Sequence, residues 1–188
     1  MCFAAGTLIA TATGQCAVED LVIGDEVLSA DGLRVPVKWI GRQTIFPTFN
    51  RKAGRALVRV AAGALGAGVP NADLTVTADH ALLIDGVLCH AGALVNGCTI
   101  THVPLPKLGP SYTVYHIETE AHEIILANGA SAEAFIDNAS RRAVDTFAEL
   151  DALCGDVPEM QELDYPRAMS TRQVPVHIQA QLDSQQAA

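Results

Sequence analysis

Turn-forming pairs punctuate this chain at Thr13-Gly14, Asp31-Gly32, Asp85-Gly86, Asn96-Gly97 and Asn128-Gly129, and β-branched alternating runs fill the stretches between them. Asn-Gly and Asp-Gly adopt the positive φ angles that tight turns between antiparallel strands require. Segments such as Val35–Ile40 and 56–60 read as strands buried on one face, and nothing before residue 139 sustains a helical period over three turns. The pattern predicts an all-β domain of short strands. With 188 residues and 49% hydrophobic content, the chain can fill one core, so a single main domain is expected. The Gly- and Ala-rich stretch Ala61–Pro70 is expected to be a flexible connection.

Within this pattern one stretch carries chemistry. In Leu74-Thr75-Val76-Thr77-Ala78-Asp79-His80-Ala81-Leu82-Leu83-Ile84, a polar Thr-x-x-His stands between two apolar runs. Thr77 and His80 are thus predicted on a bend between strands, where a hydroxyl and an imidazole can be aimed at one point. An imidazole near its reference pKa can pass protons at neutral pH. A cysteine almost opens the chain, in Met1-Cys2-Phe3-Ala4-Ala5-Gly6-Thr7-Leu8-Ile9-Ala10-Thr11. It is a natural reaction partner, because a thiol needs a base, or a lowered pKa, to attack a carbonyl.

Charge and cysteine usage exclude several classes. Twelve basic against 21 acidic residues give a net charge of -9, which argues against nucleic acid as the main ligand. No apolar run is long enough for a membrane span, and no basic-then-apolar leader starts at Met1. The five cysteines, at positions 2, 16, 89, 98 and 154, are odd in number and irregularly spaced, so no disulfide framework is expected. Cys89, His90, Cys98 and His102 contain zinc-ligand residue types but lack the close paired spacing of structural zinc sites; they read as small core residues and surface histidines, and no metal or cofactor is expected. Between Asp31 and Asp73 there is no acidic residue, while Arg34, Lys38, Arg42, Arg51, Lys52, Arg55 and Arg59 fall there. That segment is either a docking surface for an acidic neighbour or, the stronger reading, an ordinary solvated face.

Three segments in order now point to one family. Cys2 leading into Gly6-Thr7-Leu8-Ile9-Ala10-Thr11, followed by Val18-Glu19-Asp20-Leu21-Val22-Ile23-Gly24-Asp25-Glu26-Val27-Leu28, resembles the opening of a Hint (hedgehog/intein) domain. Thr77-x-x-His80 resembles that family's second motif. Val114-Tyr115-His116-Ile117-Glu118, then His122, then Leu126-Ala127-Asn128-Gly129, is similar to its last strand pair. Within the family the likeness is nearest to the bacterial intein-like domains. It implies a compact, horseshoe-like β fold with pseudo-twofold halves. It also implies single-turnover self-processing, in which Cys2 attacks the peptide bond before it, His80 gives a proton to the leaving nitrogen and Thr77 orients the site. His122 matches the histidine of the late motif and is expected to act as a second acid or base. His116 stands where many inteins carry an aspartate, and an imidazole there can also relay protons.

The expected substrate is the chain's own N-terminal neighbour, the acceptor is water or a small nucleophile, and the domain is expected to be monomeric. Met1 is expected to be the trimmed end of a longer precursor, one that the bacterial resemblance suggests is secreted or surface-bound. Splicing is not expected. After Asn128-Gly129 no His-Asn pair follows, and Asn138 lies between Asp137 and Ala139 with no nucleophile behind it. The alternatives are a β module without activity, whose site should have drifted, and a cysteine hydrolase acting in trans, which gives no reason for a cysteine at position 2.

The pattern changes after Asn138, so residues 2–138 are assigned to the self-processing domain and 139–188 to a C-terminal helix and tail. Val144, Phe147, Leu150 and Cys154 recur at helical spacing between a capping Ser140 and Gly155. The prolines and glutamines from Asp156 onward predict an irregular, partly disordered tail, whose deletion should leave processing nearly intact.

Overall fold

The computed structural model describes residues 1–47, 57–134 and 163–185. Among these residues fourteen strands form one continuous sheet. They are β1 (Phe3–Ala4), β2 (Leu8–Thr11), β3 (Gly14–Ala17), β4 (Glu26–Leu28), β5 (Arg34–Ile45), β6 (Leu57–Val60) and β7 (Leu74–Thr77). There follow β8 (Ala81–Ile84), β9 (Val87–His90), β10 (Ile100–His102), β11 (Tyr112–Thr119), β12 (Ile124–Ala127), β13 (Ala130–Glu133) and β14 (Arg167–Ala168). The spatial order is β10-β6-β7-β1-β11-β5-β4-β2-β12-β13-β8-β9-β14, with β3 paired to β2. The all-β expectation therefore holds.

Two of the predicted turns close two-residue hairpins. Asp85-Gly86 has φ values of 45° and 75°, and Asn128-Gly129 has 46° and 76°. Positive φ at both central positions matches the right-handed twist of the flanking strands, which is why β8–β9 and β12–β13 pair in full register across these turns. The 12-residue β5 spans both halves of the sheet, pairing β11 at its C-terminal end and β4 at its N-terminal end. Its inward positions Val37, Trp39 and Ile45 are almost fully buried. Val37 joins a core that includes Ile9, Val27, Leu82, Ile117 and Ile125, drawn from strands far apart in sequence, whereas Ile45 packs in a second cluster with Cys2, Leu57 and Val114.

One sequence expectation gives way here. Ala61–Pro70 is not a flexible connection: Gly63 N–H donates to Pro70 O and Leu65 N–H to Val69 O, both at 2.8 Å, and Ala64 and Leu65 are buried. Small residues tolerate the positive φ of Gly63, Gly66 and Ala67, so the composition read as slack is what permits a tight, internally bonded turn. The basic segment fits the solvated-face reading among the described residues: Arg34, Arg42 and Arg59 are exposed, Arg34 and Arg59 pairing at the surface with Glu26 and Asp73 and Arg42 lying over the Tyr115 ring, while half-buried Lys38 pairs with Glu118; Arg51, Lys52 and Arg55 lie outside the described residues.

The tail differs most. The helix expected over 140–155 lies outside the described residues. Within residues 163–185, however, the chain is not irregular: β14 pairs parallel to β9, and a helix, α1, covers Val176–Ser184. Ala168, Val174, Ile178 and Leu182 are buried in the main core. Gln181 Nε2 also donates to Leu65 O at 2.7 Å. Of the prolines that suggested disorder, Pro166 precedes β14 and Pro175 precedes α1, where a helix start makes no use of its missing N–H, while Pro158 lies outside the described residues.

Because α1 is part of the core, deleting Asp156–Ala188 is now expected to destabilise the domain rather than leave it intact. The finer test is Ile178→Ala. It should lower unfolding free energy by about 2 to 5 kcal/mol, the usual cost of a Leu- or Ile-sized cavity, in urea denaturation. A loss below about 0.5 kcal/mol, as at exposed surface sites, would show that α1 is not docked in solution.

Candidate active site

The register of a two-residue strand builds this site. β1 lies between β7 and β11, with Phe3 opposite both Val76 and Tyr115. One antiparallel step further, Cys2 faces Thr77 on one side and His116 on the other. Cys2 N–H donates to Thr77 Oγ1 at 2.9 Å, and Thr77 N–H returns a bond to Cys2 O at 3.0 Å. Cys2 Sγ lies 3.3 Å from His116 Nε2. The thiol is 6% exposed, and burial pushes its pKa up, so it is a thiol at neutral pH unless its proton is taken from it.

His80 closes the site from the bend between β7 and β8. Its backbone N–H donates to Thr77 O at 2.9 Å, its ring packs at a tilt of 58° against Phe3 with centroids 4.3 Å apart, and it is 1% exposed. Neither ring nitrogen has a hydrogen-bond partner. A buried imidazole with no partner is costly, and such sites recur where a group is held ready for a reacting atom. Burial, reinforced by the nearby Met1 ammonium, lowers the His80 pKa to about 4, and the same two causes lower His116 to about 3. Both rings are neutral near pH 7.

Asp79, which the sequence reading passed over, accepts a hydrogen bond from the Met1 nitrogen at 3.2 Å. Its position between the motif threonine and histidine was the available signal. Residue 1 is thereby held at its nitrogen by Asp79, and Cys2 at its nitrogen by Thr77.

His122 is not on Cys2. It sits between β11 and β12 with φ of 54°, 1% exposed, and its Nε2 lies 3.1 Å from Glu133 Oε1. Arg167 grips the same carboxylate through both oxygens, at 2.8 and 2.7 Å. Burial alone would raise the Glu133 pKa, but the bonds from Arg167 and His122 hold it down at about 2. Sequence patterning had no means of joining Arg167 to Glu133, since 34 residues and a change of element separate them. Of the five sequence-predicted residues, the structure thus gathers Cys2, Thr77, His80 and His116 and sets His122 behind them. Among the described residues no group of His, Cys, Asp and Glu is arranged to hold a metal ion.

Residues 1–139 match the family described as Hint domain. No curated protein sequence matches the chain. Among solved structures, a variant of the MchDnaB-1 intein is 20% identical and superposes with a TM-score of 0.52 over 71% of this chain and 99% of its own. A bacterial intein-like domain from Clostridium thermocellum is 18% identical, with a TM-score of 0.52 over 71% and 96% of the respective chains. The gp41-1 intein, at 15% identity, gives 0.51 over 71% and 98%.

The two most strongly depressed histidines, His80 and His116, predict a pH response. Below about 6.5 the unfolded chain binds protons at His80 and His116 that the folded chain refuses, so stability falls as pH falls, by up to about 1.4 kcal/mol per pH unit for each ring. Glu133 adds to the loss only lower down, as pH drops through about 4.5 toward its folded value of about 2. Urea midpoints at about pH 7 and pH 5 measure the upper window. His80→Gln should remove one ring's share of that slope, and an unchanged slope would show that folded His80 takes up protons freely.

Proposed function

The chain belongs to the Hint domain family, and from that premise we propose that this self-processing fold cleaves the peptide bond before Cys2 through a thioester and does not splice. The observation that carries the proposal is the placement of Cys2, with its sulfur 3.3 Å from His116 Nε2 and its nitrogen bonded to Thr77 Oγ1 at 2.9 Å.

The step is an N-to-S acyl shift. His116 takes the thiol proton as Cys2 sulfur attacks the carbonyl carbon of residue 1. The carbon–nitrogen bond then breaks, and Cys2 nitrogen receives a proton from His80. A proton passed between the two imidazoles closes the cycle, and the pair is close enough for His80 to depress protonation of His116. Thr77 fixes the nitrogen's direction, and Asp79 holds the residue on the far side of the scissile bond. Orientation of this kind does much of the catalytic task, because thiol and carbonyl belong to adjacent residues and need no encounter step.

The buried thiol favours this reading over hydrolysis in trans. At 6% exposure Cys2 has little surface for an external peptide, whereas its own upstream carbonyl is covalently adjacent. Release without splicing is supported by how Asn128 is employed. Its Oδ1 accepts from Leu8 N at 2.8 Å and its Nδ2 donates to Asp73 O at 2.9 Å, which makes it a brace between strands rather than an amide free to cyclise. The thioester is then resolved from outside, with water the acceptor that needs no site of its own, and a thiol, amine or alcohol next.

The experiment fuses a small reporter ahead of Cys2 and a distinguishable tag after the domain, and follows fragment masses with and without dithiothreitol. The expected products are free reporter and a domain-plus-tag fragment, released faster with thiol. Cys2→Ala should abolish cleavage, and His80→Ala and His116→Ala should each slow it by about 10² or more. A folded fusion that stays whole for days sinks the cleavage reading, and any reporter-to-tag ligation product sinks the exclusion of splicing.

A further inference from the structure

The Glu133 carboxylate is fully buried, and its partners come from three parts of the chain: His122 from the β11–β12 turn, Arg167 from β14, and, behind them, the His80 bend. The last follows from register. Ala132 faces Leu82, so Glu133 stands across from Ala81, next to His80, and its charge is felt there. Half-buried His90, opposite Ala81 on β9, feels both Glu133 and Arg167. The Met1 ammonium and Asp79 are the other charges facing His80.

Arg167 lies beyond the family-matched stretch, which ends at residue 139. We propose that Arg167 is a positioning residue for cleavage: by gripping Glu133 it fixes His122 and the charge behind His80, so that the reaction waits until the C-terminal segment has docked. The inference rests on the cleavage reading above and specifies how that site is regulated.

The physics is that of a buried ion needing its counterion. A carboxylate with no exposed surface stays ionised only with cationic partners and satisfied oxygens. Arg167 supplies two parallel N–H donors, at 2.8 Å to one oxygen and 2.7 Å to the other, and the oxygen nearer His122 is shared with the imidazole. Only a guanidinium presents that planar fork; an ammonium is a point charge. Arg167 is held in turn by β14, whose pairing to β9 is flanked by a bond from Leu88 N–H to Pro166 O at 2.9 Å. Until residues 163–185 are seated, Glu133 has no guanidinium. It then takes a proton or draws His122 away from its place, and the electrostatic setting of His80 changes with it.

The test uses the reporter fusion with the full chain and reads first-order cleavage rates. Arg167→Ala should slow cleavage by about tenfold to a hundredfold, the cost of slight misplacement at a reacting centre. Free guanidinium ion at concentrations below denaturing should restore part of the rate to that variant and do nothing for Glu133→Gln. Arg167→Lys should restore less than half, for want of the fork. The double variant Glu133→Gln with Arg167→Ala should be no slower than Glu133→Gln alone, because Arg167 acts through Glu133. Hydrogen exchange at the Leu88 amide reports whether the segment remains docked, and if Arg167→Ala unfolds, the Arg167→Lys rate decides. A folded Arg167→Ala that cleaves at the wild-type rate, or losses that add in the double variant, overturn this inference alone. A wild-type fusion that stays whole overturns the cleavage reading, and this one with it.

Discussion

The structure depends on the insertion of β1 between β7 and β11. Phe3 and Ala4 pair with β11 and Phe3 also with β7, and Phe3 anchors the junction by burying its ring against the core and against His80. A strand of this length cannot be held by its ladder bonds alone. Burial of an aromatic side chain, typically worth about 1.5 to 3 kcal/mol, supplies the hold and sets the register. Register then does the chemical work, because a one-residue slip would point Cys2 away from Thr77 and His116.

That arrangement places polar groups where polar groups are costly. Thr77, His80, His116, His122 and Glu133 are all buried. Four of them are held by bonds or charge, Thr77 to Cys2, His116 to the thiol, and His122 and Glu133 to each other and to Arg167. His80 is the exception, with two unpartnered nitrogens. The rest of the sheet carries that cost through a large apolar core, so the site is preorganised at the expense of local stability, a trade that enzymes commonly make.

The architecture was legible from turns and alternation because both are local. Asp85-Gly86 and Asn128-Gly129 dictate hairpins by their own φ preferences, and β8, β12 and β13 follow from short apolar runs between them. Cys2, Thr77 and His80 were legible as motif residues for the same reason. The pairing of His116 with Cys2 was weaker in sequence, since it depends on which strand receives β1. Glu133, Arg167 and the docked α1 were not legible at all. Their contacts span long stretches of chain, and the proline-rich composition that marks a tail as irregular says nothing about a groove waiting to bury Ile178 and Leu182. Ala61–Pro70 misled in the same way, since small residues serve tight turns as well as slack ones.

Elsewhere in the sheet the pairing is antiparallel, and β14 is the one parallel partner among the described residues, lying on the outer side of β9 at the end of the strand order. An uncovered β9 would present Val87–His90 as a row of open N–H and C=O groups above the apolar side chains of Leu88 and Cys89. Such an edge is a template for pairing with another chain. A nascent or truncated molecule lacking β14 is therefore exposed to self-association, and the short strand acts as a solubility cap for a sheet that would otherwise stay open on this side.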